Sequence, residues 1–233
     1  MIEFVSLAAI QFLFFYIPAT IYLSIDLLFP TFSNRYKIQS ERRQPTWEQI
    51  RHCITDVGFS DLGGIVVQVA LRSAFGWNKA VFVVSSDLPS IQTIIFDFFF
   101  GLIAKEITFY YAHRAFHHPK LYAKIHKKHH KFTAPMAFTA SYAHPVEHVI
   151  ANILPVLLPL ALKRTHLLSY CIYGAFEFWE AAAVHSGYDF VRMPAADMHD
   201  LHHEKFRVNY GAYGFMDWIH GTNVVGWDRP KQA

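Results

Sequence analysis

Apolar residues along this chain come in long blocks, not in the short alternations of strands or the one-sided stripes of surface helices. The first block, Phe4–Phe29, is interrupted only by Pro18 and Asp26, and its length predicts a helix able to cross a bilayer. It has no basic leading segment and no small-residue cleavage site, so a retained membrane helix is expected and not a signal peptide. Ile54–Phe75 is a weaker candidate span, broken by Asp56, Asp61 and the Gly63-Gly64 pair. Ile91–Ala112 is a stronger one, although Asp97, Lys105 and Glu106 argue against a helix that faces lipid all round. Two further blocks, Val149–Leu162 and Leu167–Val184, flank Lys163-Arg164-Thr165-His166. They predict a helical hairpin that enters the membrane and returns, with Lys163 and Arg164 reaching headgroups from its tip. Val149–Leu162 is shorter than the roughly 20 residues of a straight span. The pattern predicts an all-α protein, an integral membrane helical bundle with a cytosolic, histidine-rich helical cap.

The polar segments set the sidedness. Pro30–Gln49 carries Arg35, Lys37, Arg42 and Arg43, and Arg114–Lys131 carries Arg114, Lys120, Lys124, Lys127, Lys128 and Lys131. Basic loops stay in the cytoplasm, and the hairpin returns His185–Ala233 to that same side. The chain divides into N-terminal membrane helices with a basic cytosolic loop (1–90) and a catalytic region (91–233). Composition agrees: 53% hydrophobic and 17% charged residues are too apolar a balance for an ordinary soluble enzyme. A net charge of +3 gives no reason to expect a nucleic-acid partner. Cys53 and Cys171 are far apart in sequence and form neither a disulfide framework nor a C-x-x-C site.

Histidine changes the picture. Of 15 histidines, all but His52 and His220 lie between His113 and His203, and scattered surface histidines would not cluster so. His113 and His117, four apart, share a helical face, which extends back through Tyr110 and Glu106. His126-Lys-Lys-His129-His130 and His199-Asp-Leu-His202-His203 repeat an H-x-x-H-H spacing, and within each the three imidazoles are expected to converge. Eight such donors exceed the four to six ligands of one metal, so a pair of metals is expected, with His185 as a further ligand. Beyond these, His144, His148, His118, Glu106 and Tyr110 are candidates for additional ligands or for supporting the ligands. His52, His166 and His220 belong to no cluster. No catalytic residue is expected beyond the metal centre itself. Imidazole donors without thiolates suit redox-active iron better than a closed structural zinc site. Such a centre at the edge of a bilayer is suited to oxidising a C–H bond of a lipid.

Several motifs carry a resemblance. His113-Arg-Ala-Phe-His117-His118-Pro, Tyr122-Ala-Lys-Ile-His126-Lys-Lys-His129-His130, Tyr142-Ala-His144-Pro-Val-Glu147-His148, His185-Ser-Gly-Tyr-Asp-Phe, His199-Asp-Leu-His202-His203, Asn209-Tyr-Gly and His220-Gly-Thr occur in this order. Taken together over roughly Phe96–Thr222, they resemble the fatty acid hydroxylase superfamily, which includes sterol desaturases and 4-methylsterol oxidases. The Tyr-Ala-His-Pro-Val-Glu and His-Ser-Gly-Tyr-Asp-Phe runs look closest to the 4-methylsterol oxidase branch. The resemblance implies an endoplasmic reticulum enzyme with two Fe ions facing the cytosol and dioxygen as co-substrate. It also implies electrons from NAD(P)H delivered by a separate carrier such as cytochrome b5 with its reductase. The histidines of the three boxes match the family's ligand positions, and His185 its additional one. The implied reaction is hydroxylation of a 4-methylsterol or, failing that, of a fatty-acyl chain.

Overall fold

A computed structural model describes residues 2–39, 44–75, 80–190 and 194–224, so Arg42 and Arg43 of the basic segment lie outside the described residues. Among these residues every regular element is helical; the extended contacts are two isolated bridges, Lys37 with Tyr188 and Val83 with His166. The first apolar block forms α1 (Ile2–Leu28), 27 residues long. Pro18 has no N–H to give to the carbonyl four residues back, and the helix widens there into a π turn, Phe12–Tyr16, which absorbs the gap. After α2 (Pro30–Tyr36) and α3 (Trp47–Phe75) comes α4 (Ile91–Phe116), capped by Ser90, whose Oγ accepts the Thr93 amide. The short α5 (Pro119–Tyr122) leads into a 3₁₀ turn, His126–Lys131.

The hairpin is longer than its apolar run. Helix α6 begins at Pro145 and runs to Leu162, 18 residues, because His144-Pro145-Val-Glu147-His148 joins the helix instead of preceding it. A second π turn, His148–Ile153, sits just before Pro155 and again accommodates a missing N–H. The expectation of a segment too short to span is therefore corrected by the polar residues that lengthen it. Helix α7 (Leu167–Val184) has the bounds of its apolar block. Lys163 does not snorkel to headgroups as expected. Its ammonium lies 2.7 Å from the buried Asp97 carboxylate of α4, which cancels the one charge in the middle of that helix's first half. Helices α8 (Pro194–Lys205) and α9 (Phe215–His220) complete the chain's described helices.

Two helices, α1 and α6, are long and apolar enough to cross a membrane. Only 17% and 22% of their most apolar windows are buried in the protein, whereas the core helix of a soluble protein would be mostly buried. Phe12, Leu28, Phe59, Phe96, Phe99 and Leu162 are among many large apolar side chains left exposed. Outward apolar surface on this scale needs a non-aqueous neighbour, as a bilayer provides.

Helices α4 and α7 run parallel and in register. Tyr173 donates to the Gly101 carbonyl at 3.2 Å, and one turn on Lys105 pairs with Glu177, at the same offset of 72 residues. Glu180 and the Tyr213 hydroxyl complete the partners of that buried ammonium, at 3.2 and 3.3 Å. The far end of the bundle is packed by Ile10, Phe82, Leu160, Tyr170 and Tyr173. At the near end α4 and α7 finish side by side at His113 and His185, where the histidine-rich turns fold over them.

Candidate metal centre

Nine histidines converge on two points. His113, His117, His126, His130 and His202 form one group, and His129, His185, His199 and His203 the other, each with its ligand nitrogens within 4.8 Å of one another. The two groups adjoin, with the His130 and His203 rings 4.7 Å apart. All nine histidines singled out by the box spacings and the His185 position are thus brought together. The expected convergence within each H-x-x-H-H is corrected. His126 and His130 enter the five-histidine group while His129 enters the other. His199 and His203 enter the four-histidine group while His202 crosses to the first. On helix α8 the third and fourth residues onward differ by about 100° in direction, so one H-x-x-H-H segment serves two points.

Five of the nine rings are aimed through their other nitrogen. His113 Nδ1 donates to Tyr210 O and His202 Nδ1 to Val208 O, both at 2.7 Å. His185 Nδ1 donates to Ala181 O at 2.8 Å and His203 Nδ1 to Phe132 O at 3.0 Å. A carbonyl only accepts, so in these neutral rings the proton sits on Nδ1 and Nε2 presents a bare lone pair. His126 Nδ1 lies 2.8 Å from the Glu147 carboxylate, an arrangement that raises a ligand's basicity.

The Nε2 atoms then face one another: His126 and His117 at 2.8 Å, His117 and His202 at 3.0 Å, His113 and His126 at 3.1 Å, His130 and His202 at 3.1 Å. In the other group His199 Nε2 is 2.8 Å from that of His185 and 2.9 Å from that of His203. Between His113 and His126, whose Nδ1 protons are both engaged elsewhere, two bare lone pairs stand this close and repel unless a cation lies between them, and protonating the rings is opposed. Burial and the neighbouring imidazoles push His199, His202 and His203 well below the usual histidine value, and burial holds His129 down to about 4. The donor set therefore fits a metal in each group. With metal–nitrogen bonds of about 2.1 Å, donors at right angles stand about 3.0 Å apart and tetrahedral donors about 3.4 Å. No thiolate takes part, since neither Cys53 nor Cys171 belongs to either group.

The other candidates have different work. Glu106 and Tyr110 do share a face with His113, but Glu106 accepts the amides of Ala212, Tyr213 and Met216. Tyr110 meets Thr222 and receives a hydrogen bond from Arg114. His118 and His144 are helix N-caps, their Nδ1 atoms accepting from Lys120 and Val146, and His166 caps α7 in the same way. His148 lies beside the Asn152 amide. His220 stacks on Tyr110 and its Nε2 is 3.1 Å from the Tyr111 hydroxyl. His52 packs edge-on to Tyr142. None joins either histidine group.

Sequence reasoning missed Glu147 as the partner of His126, although that residue stood inside a quoted motif. It also missed the segment around Lys37, which no motif marked. Lys37 Nζ donates to Ser186 O and Asp26 at 2.9 Å each, and Ile38 N donates to Gly187 O. Gln39 reaches Asp200 on α8. The stretch after α2 thereby ties down the turn that follows His185.

Fold and site define a helical membrane protein with two adjoining all-histidine groups able to hold metal. A family profile described as fatty acid hydroxylase matches residues 98–222, and the chain belongs to that family. It is 32% identical to human fatty acid hydroxylase domain-containing protein 2, over 84% of this chain and 59% of that protein. It is also 32% identical to the fatty acid hydroxylase ahd1 of Mycosarcoma maydis, over 83% of this chain and 50% of that one. A putative methylsterol monooxygenase of Dictyostelium discoideum is 33% identical over 87% of this chain and 77% of its own length. The chain thus spans between half and three fifths of the first two relatives. No solved structure matches it.

Proposed function

We propose that this protein is a di-iron oxygenase that hydroxylates a C–H bond of a membrane lipid, with a 4-methylsterol as the first substrate to test. The observation that carries the reading is the pair of adjacent groups of convergent imidazole nitrogens at the end of an apolar bundle. His113, His117, His126, His130 and His202 would hold one iron, and His129, His185, His199 and His203 the other. When bound, the two irons supply the redox chemistry that lets dioxygen oxidise an unactivated C–H bond, with two electrons and two protons consumed to release water.

The chain's own residues supply the rest. The Nδ1 hydrogen bonds of His113, His126, His185, His202 and His203 keep those rings oriented and their lone pairs free without rearrangement. Burial of the rings excludes water that would compete for the site. The outward apolar faces of α4 and α6 offer a lipid a route to the centre from the hydrocarbon side. Exposed Arg114, Lys120, Lys124, Lys127 and Lys131 surround the histidine end, and their charge favours a cytosolic orientation in the endoplasmic reticulum membrane. NAD(P)H-derived electrons would then arrive through cytochrome b5 or a similar carrier.

The relatives divide over substrate, as fatty acid hydroxylases and a methylsterol monooxygenase both align, so a fatty-acyl hydroxylase is the second reading. Lipid profiling of a deletion strain separates the two: accumulating 4-methylsterols support the first, a missing hydroxyacyl product the second. Metal analysis and oxygen-dependent turnover of detergent-purified protein test the class. Stoichiometric zinc from iron-replete cells, with no turnover on either lipid, would sink both readings.

A further inference from the structure

Different hydrogen bonds aim the two histidine groups, and two of those that serve the five-histidine group run through one short stretch of backbone. Val208 O and Tyr210 O receive the Nδ1 protons of His202 and His113. On the opposite side of the same stretch two buried carboxylates gather its amides. Asp217 accepts Tyr210 N at 2.7 Å and Gly211 N at 2.6 Å. Glu106, reaching across from α4, accepts Ala212 N and Tyr213 N at 2.8 Å and Met216 N at 2.9 Å. Tyr210 is the pivot, since its amide is held by Asp217 while its carbonyl holds His113.

The clamp is tight. A Cβ on Gly211 would fall 2.5 Å from Glu106 Oε1 and 2.8 Å from Asp217 Oδ2, so only glycine lets both carboxylates close on the backbone. Both are buried, Glu106 at 2% and Asp217 at 0% exposure, where an N–H left without its acceptor is not rescued by solvent. The two rings of the four-histidine group that have an Nδ1 acceptor find it elsewhere. His185 is aimed by Ala181 O within its own helix and His203 by Phe132 O.

We propose that Glu106 and Asp217 are positioning residues for one metal position only. By clamping 208–216 they aim His113 and His202, and so govern occupancy of the five-histidine group while leaving the other group intact. This rests on the two-metal reading above, and the experiment separates the two ideas. Purified Glu106→Gln and Gly211→Ala proteins are loaded with ferrous iron in detergent. Bound iron is counted by mass spectrometry, with circular dichroism and size exclusion reporting the fold. Glutamine keeps the side chain's shape but turns one acceptor into a donor that faces backbone N–H groups. Gly211→Ala leaves both carboxylates in place and forces them off the backbone.

Each variant is expected to lose one of the two irons that the unaltered protein binds, with helix content and monodispersity retained. Adding His202→Ala to Glu106→Gln should cost no further iron, while adding His199→Ala should remove the remaining one. Two irons retained in both variants overturns the proposal, and so does loss of both irons together, which would mark a general role in folding. If Glu106→Gln aggregates, Gly211→Ala decides by the same counts. An unaltered protein that binds no iron overturns the two-metal reading itself.

Discussion

An alanine at Gly101 would push apart the two helices that carry opposite sides of the centre. Gly101 lies on α4 where the Tyr173 ring of α7 rests against it, and an added Cβ would fall 2.7, 2.9 and 2.9 Å from three ring carbons. Carbon–carbon contacts are best at roughly 3.5–4.0 Å. The ring has no room to swing. It is fully buried, with Phe98 edge-on at 6.2 Å and Tyr170 at 6.3 Å, and its hydroxyl is bonded to the Gly101 carbonyl. Overpacking costs about 1–3 kcal/mol, and stretching the hydrogen bond adds up to about 1 kcal/mol. Alanine returns about 0.5–1 kcal/mol as the better helix former, so at the middle of these ranges the steric cost wins by about 2 kcal/mol. At about 2–4 °C per kcal/mol for a chain of this size, the midpoint of thermal unfolding should fall by roughly 4–8 °C. The assay is a thermal scan in detergent, read by circular dichroism, on metal-loaded protein. Because His113 and His117 end α4 and His185 follows α7, bound metal should fall with stability. A Tyr173→Ala background opens the space, and there Gly101→Ala should be neutral or mildly stabilising. Additive losses in that double-mutant cycle, or an unchanged midpoint for Gly101→Ala alone, would refute the contact argument.

Lys105→Met leaves Glu177 and Glu180 buried without their shared cation and should cost about 3–5 kcal/mol; adding Glu177→Gln and Glu180→Gln should restore much of the thermal midpoint, and a stable single variant would count against the pairing. Glu147→Gln keeps an acceptor for His126 Nδ1 but removes its charge, and should weaken metal binding about 10- to 100-fold in a chelator competition; unchanged affinity would show that the carboxylate's charge is idle. Exchanging the adjacent residues, Lys128→His with His129→Lys, should halve the bound metal, because position 128 points to Asp56 at 2.6 Å and over the Tyr142 ring. Full metal content in that double variant would mean the four-histidine group does not depend on His129.

The three histidine boxes and His185 were legible from spacing and motif because a metal centre concentrates one residue type at intervals that local geometry imposes. Their division between two points was not legible, since it depends on which side of each segment faces the neighbouring one. The N-caps were nearer to hand. His118 and His144 each precede a proline, and proline favours the first position of a helix, which marks the residue before it as a cap. The helix bounds at Leu167–Val184 could be read directly, whereas the start of α6 could not, because its first turn is polar and looked like a loop. Lys105 within an apolar block argued against a helix that faces lipid all round, but its pairing with Glu177 and Glu180 follows from the parallel register of α4 and α7, which no local pattern encodes. The stretch 208–216 is the extreme case. The atoms that aim His113 and His202 there are main-chain oxygens, so side-chain identity carries no trace of them. What the sequence does retain is their consequence: a glycine at 211 with room for nothing larger, and two acids, at 106 and 217, too far apart in the chain to be read as a pair.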